Sequence, residues 1–346
     1  MNAFQALKGW LFEEKFRISD LFFLGIYGAV IGFGIWHHEP WSDEALPWML
    51  VRESTLPELI FKIFQGWDRH PGLFHLLLIP FVKGGSPYES QALLNAGFSI
   101  AAAVLFLMRA PFPRFFRYLF LFSFYMIYEY SVIVRPYMLC ILLLFAIASF
   151  FSRRNSQPLL YALLVALFFQ SDFVGFGLGV GLAVVFFFEN RGLLKKDLVR
   201  QASFVLMAAS GWIAFWIGHA LPAEHYERGK EIIFQWENIL TAVANACFPF
   251  SELNLYPGII HTLAVIGGLC WVGLAGFSVR KKREFFVILV FSFLYLFSVF
   301  SFLHPGDYRH HGFILFTIVF VLWIEKSSRS QIANEEKKAP QRTRVS

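Results

Sequence analysis

The sequence predicts an all-α polytopic membrane protein, and its composition carries most of that prediction. Of the 346 residues, 57% are apolar, 19% are aromatic and only 16% are charged. A soluble globular domain carries about 25% charged residues, so this chain could not bury its apolar side chains in one water-surrounded core. The composition also excludes a disordered chain, a coiled coil and a small disulfide-rich secreted domain.

Apolar runs along the chain predict about ten transmembrane helices, because a helix needs about 20 residues, with roughly 17 tolerable, to cross a bilayer core. These runs cover residues 18–36, 90–108, 117–131, 136–152, 158–171, 173–189, 202–220, 257–278, 285–303 and 309–325. A further run, 72–82, is too short to cross, and we expect a helix there that lies in the membrane interface or dips into it. Residues 1–325 are therefore predicted to form a single transmembrane domain.

The basic residues predict the orientation of the chain. When the short run is left out of the span count, most basic residues fall on one side together with both termini: Arg109, Arg114, Arg117, Arg153, Arg154, Arg191, Lys195, Lys196, Arg200 and Arg280–Arg283. The positive-inside bias assigns that side to the cytoplasm. We therefore expect a multi-pass protein of the plasma (inner) membrane, with a basic, disordered cytoplasmic tail at 326–346. The net charge of +6 reflects this orientation, and no nucleic-acid partner is expected.

The polar residues that could perform chemistry collect on the other face, in outer loops at about 37–89 and 221–256. Asp43 and Glu44 follow the first span directly, in a stretch rich in tryptophan at the water–lipid boundary. A carboxylate held there could act as a general base. The alternative is helix capping, with Ser42 as N-cap and both acids in the first turn. The two interpretations are compatible, and the residues that follow predict amphipathic interfacial helices in the same loop.

Two arginines lie where placing a charged side chain at membrane depth costs free energy. Arg135 lies between two apolar runs, and an arginine at membrane depth costs roughly 2.5–3.5 kcal/mol on insertion scales. An anion should compensate its charge, either the nearby Glu129 or a lipid phosphate, and the sequence leaves both open. Arg309 repeats the pattern in the last outer turn, beside His310.

Other candidate motifs are weaker. The histidine pairs 37–38 and 310–311 do not share one helix face, so no metal site is predicted from them, while a divalent cation beside Asp43 stays an open alternative. The alternating glycines of 175–181 lie inside a span and favour close helix packing over a phosphate loop.

Four short motifs, in this order, resemble those of the polyprenyl-phosphate-dependent membrane glycosyltransferases of the GT-C class. They are Trp41–Ala45 (Trp-Ser-Asp-Glu-Ala), His70–Leu73 (His-Pro-Gly-Leu), Arg135–Tyr137 (Arg-Pro-Tyr) and Tyr308–His310 (Tyr-Arg-His). The family includes bacterial enzymes that modify lipopolysaccharide and protein O-mannosyltransferases. The resemblance is best over residues 18–155, and Gly72 replaces the second proline of the family motif.

This resemblance implies a GT-C-like fold and inverting transfer of a sugar from a polyprenyl-phosphate donor to a lipid, glycan or protein acceptor on the extracytoplasmic face. Asp43 would accept the proton of the acceptor hydroxyl, and Glu44 would orient the sugar or tune the base. The donor phosphate would be bound by Arg135, Arg309 and His310. The remaining candidates for the substrate site are Trp41, Asp68, His70, Glu129 and Tyr137.

Two other functions stay open on the sequence. A lipid or saccharide transporter could use the outer arginines to bind a lipid phosphate during translocation, although no inverted repeat is visible in the chain. An O-antigen polymerase or ligase is also a multi-span sugar enzyme with outer arginines. Neither alternative needs an Asp-Glu pair after the first span.

Overall fold

The computed structural model of the chain describes residues 3–219, 234–249 and 257–338. Within these ranges all regular secondary structure is helical and no strand occurs, which confirms the predicted all-α class. The first helices are α1 (Ala3–Leu11), α2 (Ser19–His37), α3 (Ser42–Glu53), α4 (Leu56–Phe64), α5 (Leu73–Lys83), α6 (Ser90–Arg109) and α7 (Arg114–Leu121). They are followed by α8 (Tyr137–Phe150), α9 (Pro158–Phe169), α10 (Phe176–Asn190), α11 (Leu198–His219), α12 (Trp236–Cys247), α13 (Pro257–Val279), α14 (Arg283–Ser298) and α15 (Tyr308–Lys338).

Among the described residues, seven helices are long and apolar enough to cross a membrane: α2, α6, α10, α11, α13, α14 and α15, with α10 and α14 extended by adjoining helical turns. The outer helices carry large apolar side chains on their exposed faces, such as Phe33, Trp212 and Phe277. Side chains of this kind are stable on an outer surface only when lipid covers it. The chain is therefore a polytopic membrane protein.

Seven candidate spans are found where about ten were expected, because three predicted spans form helices that are short or interrupted. The run 117–131 is divided into α7 and a π-helical turn, Tyr125–Glu129. The run 136–152 forms α8 and a 3-10 turn that continues it to Arg153, and the run 158–171 forms the short helix α9. Most of α8 and one side of α9 are buried against protein, and apolar composition alone did not distinguish this environment from lipid.

The first outer loop forms the expected short helices. Helix α3 holds Asp43 and Glu44 in its first turn, as predicted, but the N-cap is Trp41 and not Ser42. The Glu44 side chain accepts a hydrogen bond of 2.8 Å from the backbone N–H of Trp41, which satisfies one of the free donors at the start of the helix. Helix α4 is capped in the same way, with Glu58 accepting from Thr55. Helix α5 is too short to span, as expected for the run 72–82.

The glycines of α10 allow the close helix packing that the sequence predicted. A Cβ atom added at Gly181 would lie 2.8 Å from Cα of Ile288 on α14, closer than real Cβ contacts allow. Gly177 faces Tyr295 of the same helix equally tightly. Only glycine lets these two backbones approach so closely.

The last helix extends further than predicted. Helix α15 continues past Lys326, where a disordered tail was expected, and remains helical to Lys338. Lys326 forms an ion pair of 2.6 Å with Glu14, which contributes to fixing the start of the predicted tail. The rest of that tail, 339–346, and most of the predicted outer loop 221–256 lie outside the described residues.

Basic residues cluster at the end of the bundle where α1 and the later part of α15 meet. Arg114 is fully buried there, with its guanidinium 3.0 Å from Asp20 and 3.2 Å from Glu13. Lys282 and Arg329 both pair with Glu325 at the same end. Lys326 follows Arg309 along α15, and at a helical rise of roughly 1.5 Å per residue the two residues lie about 25 Å apart. This basic end therefore lies far from Arg309.

Candidate active site

A cavity of about 480 Å³ lies where the loop before α5, the segment before α8 and the start of α15 meet. Its polar lining includes six predicted site residues: Asp68, His70, Arg135, Tyr137, Arg309 and His310. Phe173, Tyr295 and Phe300 form part of its apolar wall. The structure thus brings together residues from four separate parts of the chain.

The segment before α8 is not helical, and buried side chains hold it in place. Arg135 precedes a proline, and that position disfavours the α conformation. Asn95, fully buried in the middle of α6, donates from Nδ2 to the carbonyls of Tyr130 and Ser131, each at 3.0 Å. Irregular backbone is tolerated at membrane depth only where protein satisfies it, and Asn95 does so here.

Glu44 fixes the same segment from the other side. One carboxylate oxygen accepts from the backbone N–H of Val134 at 2.7 Å, and the other accepts from Trp41 and lies 2.8 Å from His38 Nε2. Its side chain is only 1% exposed. This geometry favours a positioning role for Glu44, next to Arg135, over direct contact with a sugar.

Arg135 is buried and bound on several sides. Its Nη1 donates to the backbone carbonyl of Asp43 and to the Asp68 carboxylate at 3.2 Å, and its Nη2 donates to His70 Nε2. The protein anion that pairs with Arg135 is therefore Asp68, and not Glu129, which was one of the two partners that the sequence left open. Asp68 reaches Arg135 because the loop before α5 folds back over it.

Asp68 remains charged although it is buried. His75 Nε2 lies 3.1 Å from its second oxygen. Burial alone would raise the pKa of Asp68, but the neighbouring imidazoles of His70 and His75 and the Arg135 guanidinium lower that pKa to about 2. Asp68 is thus a poor proton acceptor at neutral pH and acts as a fixed anion that anchors Arg135.

The backbone between Asp68 and His70 adopts an unusual conformation. Arg69 has a φ of 56°, the left-handed region that residues with a Cβ atom rarely occupy. This conformation leaves Arg69 exposed while the side chains on either side of it turn inward toward Arg135. Local strain of this kind is typical of functional sites, where the surrounding structure enforces it.

Arg309 joins the last span to the first loop. Its Nη1 donates to Asp43 Oδ2 at 2.7 Å, and its guanidinium lies 5.9 Å from the centre of the Trp41 ring, within range of a cation–π contact. The other carboxylate oxygen of Asp43, Oδ1, has no hydrogen-bond partner among the described residues, and the side chain is 32% exposed. Asp43 is therefore an accessible carboxylate beside the cavity.

His310 is held as a neutral imidazole in this geometry. Its Nδ1 accepts a hydrogen bond of 3.0 Å from the backbone N–H of Asp307, so the ring proton lies on Nε2. Nε2 is 3.1 Å from the hydroxyl of Tyr137, which also lines the cavity. His310 is therefore neutral, and its Nε2 proton lies beside the Tyr137 hydroxyl.

Glu129 lies beside the cavity and not in its lining. It is buried in the π-helical turn, and it interacts electrostatically with Arg309 and Asp43. The prediction that it belongs to the substrate site stays a prediction.

Both arginines retain a hydrogen-bond donor that the protein does not use. Nε of Arg135 and Nε of Arg309 are buried without a partner in the described part of the chain. The two guanidinium groups are also close enough to repel each other. Two guanidinium groups that line one cavity and repel each other favour an anionic ligand such as a phosphate.

The residues around Asp43 do not suggest a divalent cation. Within the described ranges, no group of three or more His, Cys, Asp or Glu side chains is arranged to hold a metal ion. The cation that contacts Asp43 is the Arg309 guanidinium.

Two site residues were missed from the sequence. Asp172, in the connection between α9 and α10, is fully buried with its Oδ2 3.0 Å from His70 Nδ1. His75, the partner of Asp68, is equally buried. Asp172 could have been found, because it is a lone carboxylate between two apolar runs, and such residues are usually functional. His75 carries no comparable signal.

No protein-family model, curated protein or solved structure matches this chain. The function must therefore be argued from the site itself.

Proposed function

We propose that the protein is an inverting glycosyltransferase that moves a sugar from a polyprenyl-phosphate donor to an acceptor on the extracytoplasmic membrane face. The observation that carries this proposal is the contact between Asp43 and Arg309 at the edge of a cavity that Arg135 and Arg309 both line. A carboxylate with a free oxygen beside an anion-binding cavity provides what such a transfer needs. The four family-like motifs contribute most of these residues.

In the proposed step, a hydroxyl oxygen of the acceptor attacks the anomeric carbon while the bond from that carbon to the phosphate oxygen breaks. Asp43 Oδ1 accepts the hydroxyl proton. The electron pair of the broken bond leaves with the polyprenyl phosphate. Because the leaving group is already an anion, the step needs positive charge more than a general acid, and Arg135 and Arg309 supply it.

The charge distribution supports the extracytoplasmic face for this site. Buried and paired basic residues cluster at the far end of the bundle, around Arg114 and Lys326. By the positive-inside bias, that end is the cytoplasmic one. The cavity, at the opposite end of α15, would then open on the other side of the membrane.

The decisive experiment compares Asp43→Asn with the wild type. Purified protein is given a panel of radiolabelled polyprenyl-phosphate sugars, with a native membrane extract as the source of acceptors. We expect Asp43→Asn to keep membrane insertion and donor binding and to lose transfer by roughly 10²–10⁴-fold, the usual contribution of a general base. Glu39→Gln, which changes an exposed carboxylate in the same loop, is the matched control and should transfer normally.

Near-normal transfer by Asp43→Asn would remove Asp43 from the proton-accepting role. Wild-type protein that moves a labelled lipid across vesicle membranes, without forming a new glycosidic bond, would favour the transporter alternative instead.

A further inference from the structure

We infer that Asp172 and His70 form a positioning pair that holds the Arg135 guanidinium in place to bind the donor phosphate. This inference rests on the proposed function, since it takes the phosphate as the ligand of Arg135. It adds to the site a carboxylate from the connection between α9 and α10, outside all four family-like motifs.

The three side chains form a buried chain of contacts. Asp172 Oδ2 lies 3.0 Å from His70 Nδ1, and Arg135 Nη2 donates to His70 Nε2. Asp172 is fully buried, and His70 is 4% exposed. Asp172 is itself fixed, because its other oxygen, Oδ1, accepts from the backbone N–H of Val174 at 2.9 Å.

These contacts specify where the proton of His70 lies. A guanidinium N–H can only donate, so His70 Nε2 must be the acceptor and cannot carry a proton. The proton therefore lies on Nδ1. The Asp172 oxygen 3.0 Å away is not aligned to accept a hydrogen bond from it, so the negative charge of the carboxylate stabilises the proton there by electrostatic attraction. A carboxylate that selects the tautomer of a histidine in this way is the usual means by which proteins orient a functional imidazole.

The tautomer determines how Arg135 is held. With the proton on Nδ1, His70 offers a lone pair to Nη2, while Asp68 and the Asp43 carbonyl bind Nη1. Both terminal nitrogens are then held by protein, which fixes the orientation of the guanidinium in the cavity lining. With the proton on Nε2, two N–H groups would face each other, and the guanidinium would have to turn away.

The variant Asp172→Asn tests this directly, because it keeps the shape of the side chain and an oxygen to accept from Val174. The amide would present an N–H to His70 Nδ1 and move the proton to Nε2. We expect the affinity for farnesyl phosphate, measured on the full-length protein in detergent, to fall on the order of tenfold. The KM for the sugar donor should rise with it, while kcat changes less.

A second variant separates positioning from a structural role. His70→Gln places an amide oxygen near the position of Nε2, so it can accept from Arg135 without help from Asp172. We expect His70→Gln to bind farnesyl phosphate within about threefold of the wild type, and Asp172→Asn to have no further effect in that background. Asp20→Asn, another fully buried carboxylate at the opposite end of the bundle, is the control and should leave the affinity unchanged.

The inference would be overturned if Asp172→Asn bound farnesyl phosphate with wild-type affinity. It would also be overturned if Asp172→Asn weakened binding equally in the wild type and in the His70→Gln background. The proposed function is tested separately by Arg135→Lys. If Arg135→Lys weakens binding and Asp172→Asn does not, only the positioning pair is wrong. If neither variant alters binding, the phosphate site itself is wrong.

Discussion

Arg309 Nη1 lies 2.7 Å from Asp43 Oδ2, although 266 positions separate the two residues in the chain. The contact joins the first turn of the last span to the first turn of the helix that follows the first span. The site is therefore complete only when the two ends of the transmembrane domain are packed together. Tyr130 strengthens this closure, because its hydroxyl donates to the backbone carbonyl of Arg309 at 2.6 Å.

Replacing Arg309 with lysine should impair donor binding even though the charge is kept. A lysine cannot contact Asp43 and a phosphate at once with the planar geometry of a guanidinium. We expect the KM for a polyprenyl-phosphate sugar to rise roughly tenfold or more, equivalent to at least about 1.4 kcal/mol of binding free energy. Steady-state kinetics with purified protein measure the effect.

The matched control for this change is Arg52→Lys, an exposed arginine on α3 whose ion pair among the described residues is with its neighbour Glu53. It should behave as the wild type. A normal KM in Arg309→Lys would argue against a direct contact between Arg309 and the phosphate.

The low pKa of Asp68 predicts an acid-dependent stability. The carboxyl has a pKa of about 2 in the folded protein, against an ordinary value of 3.8. Because the folded state favours the charged form, the stabilisation is complete above about pH 4 and is lost as the pH falls toward 2. A shift of this size corresponds to roughly 2 kcal/mol of unfolding free energy.

Thermal unfolding in detergent, recorded as a function of pH, tests this prediction against Asp68→Asn. The variant should be less stable than the wild type at neutral pH, and the difference should shrink below pH 4. Curves that stay parallel through that range would show that Asp68 contributes nothing to the acid dependence.

Asn95→Leu should loosen the segment that carries Arg135. The substitution removes the donor shared by the carbonyls of Tyr130 and Ser131, and unpaired buried groups cost about 1–3 kcal/mol each. We expect a lower thermal unfolding midpoint together with weaker binding of farnesyl phosphate.

Ser99→Ala is the control for Asn95→Leu, since the Ser99 hydroxyl, one turn further along α6, donates only to the carbonyl of Asn95. It should retain the binding affinity and most of the stability. Unchanged binding in Asn95→Leu would mean that the segment holds its shape without the amide.

The sequence predicted which polar residues share a site better than it predicted their partners. Asp43, Arg135 and Arg309 could be grouped because each follows or precedes an apolar run on the same side. Their contacts could not be predicted in this way, since the pairing of Arg135 with Asp68 depends on how a loop folds over it. Glu129 is the acidic residue nearest to Arg135 in the sequence, but distance along the chain did not predict which acid pairs with Arg135.

The fold class followed from composition, but the number of spans did not. Apolar runs identify segments that avoid water, and they do not distinguish a helix in lipid from one enclosed by other helices, as α8 and α9 are. Asp172 was missed for a related reason: it is a single carboxylate at the end of an apolar run, whereas the predicted site residues were sought in the polar loops.

Helix α15 is 31 residues long, or about 46 Å, whereas the hydrocarbon layer of a bilayer is about 30 Å thick. Arg309 lies in its first turn, so the depth at which the rest of the helix settles in the lipid determines the height of the guanidinium relative to the headgroups. Lipids with longer or shorter acyl chains would shift that height. Bilayer thickness would thus set how far the guanidinium of Arg309 lies from the headgroups.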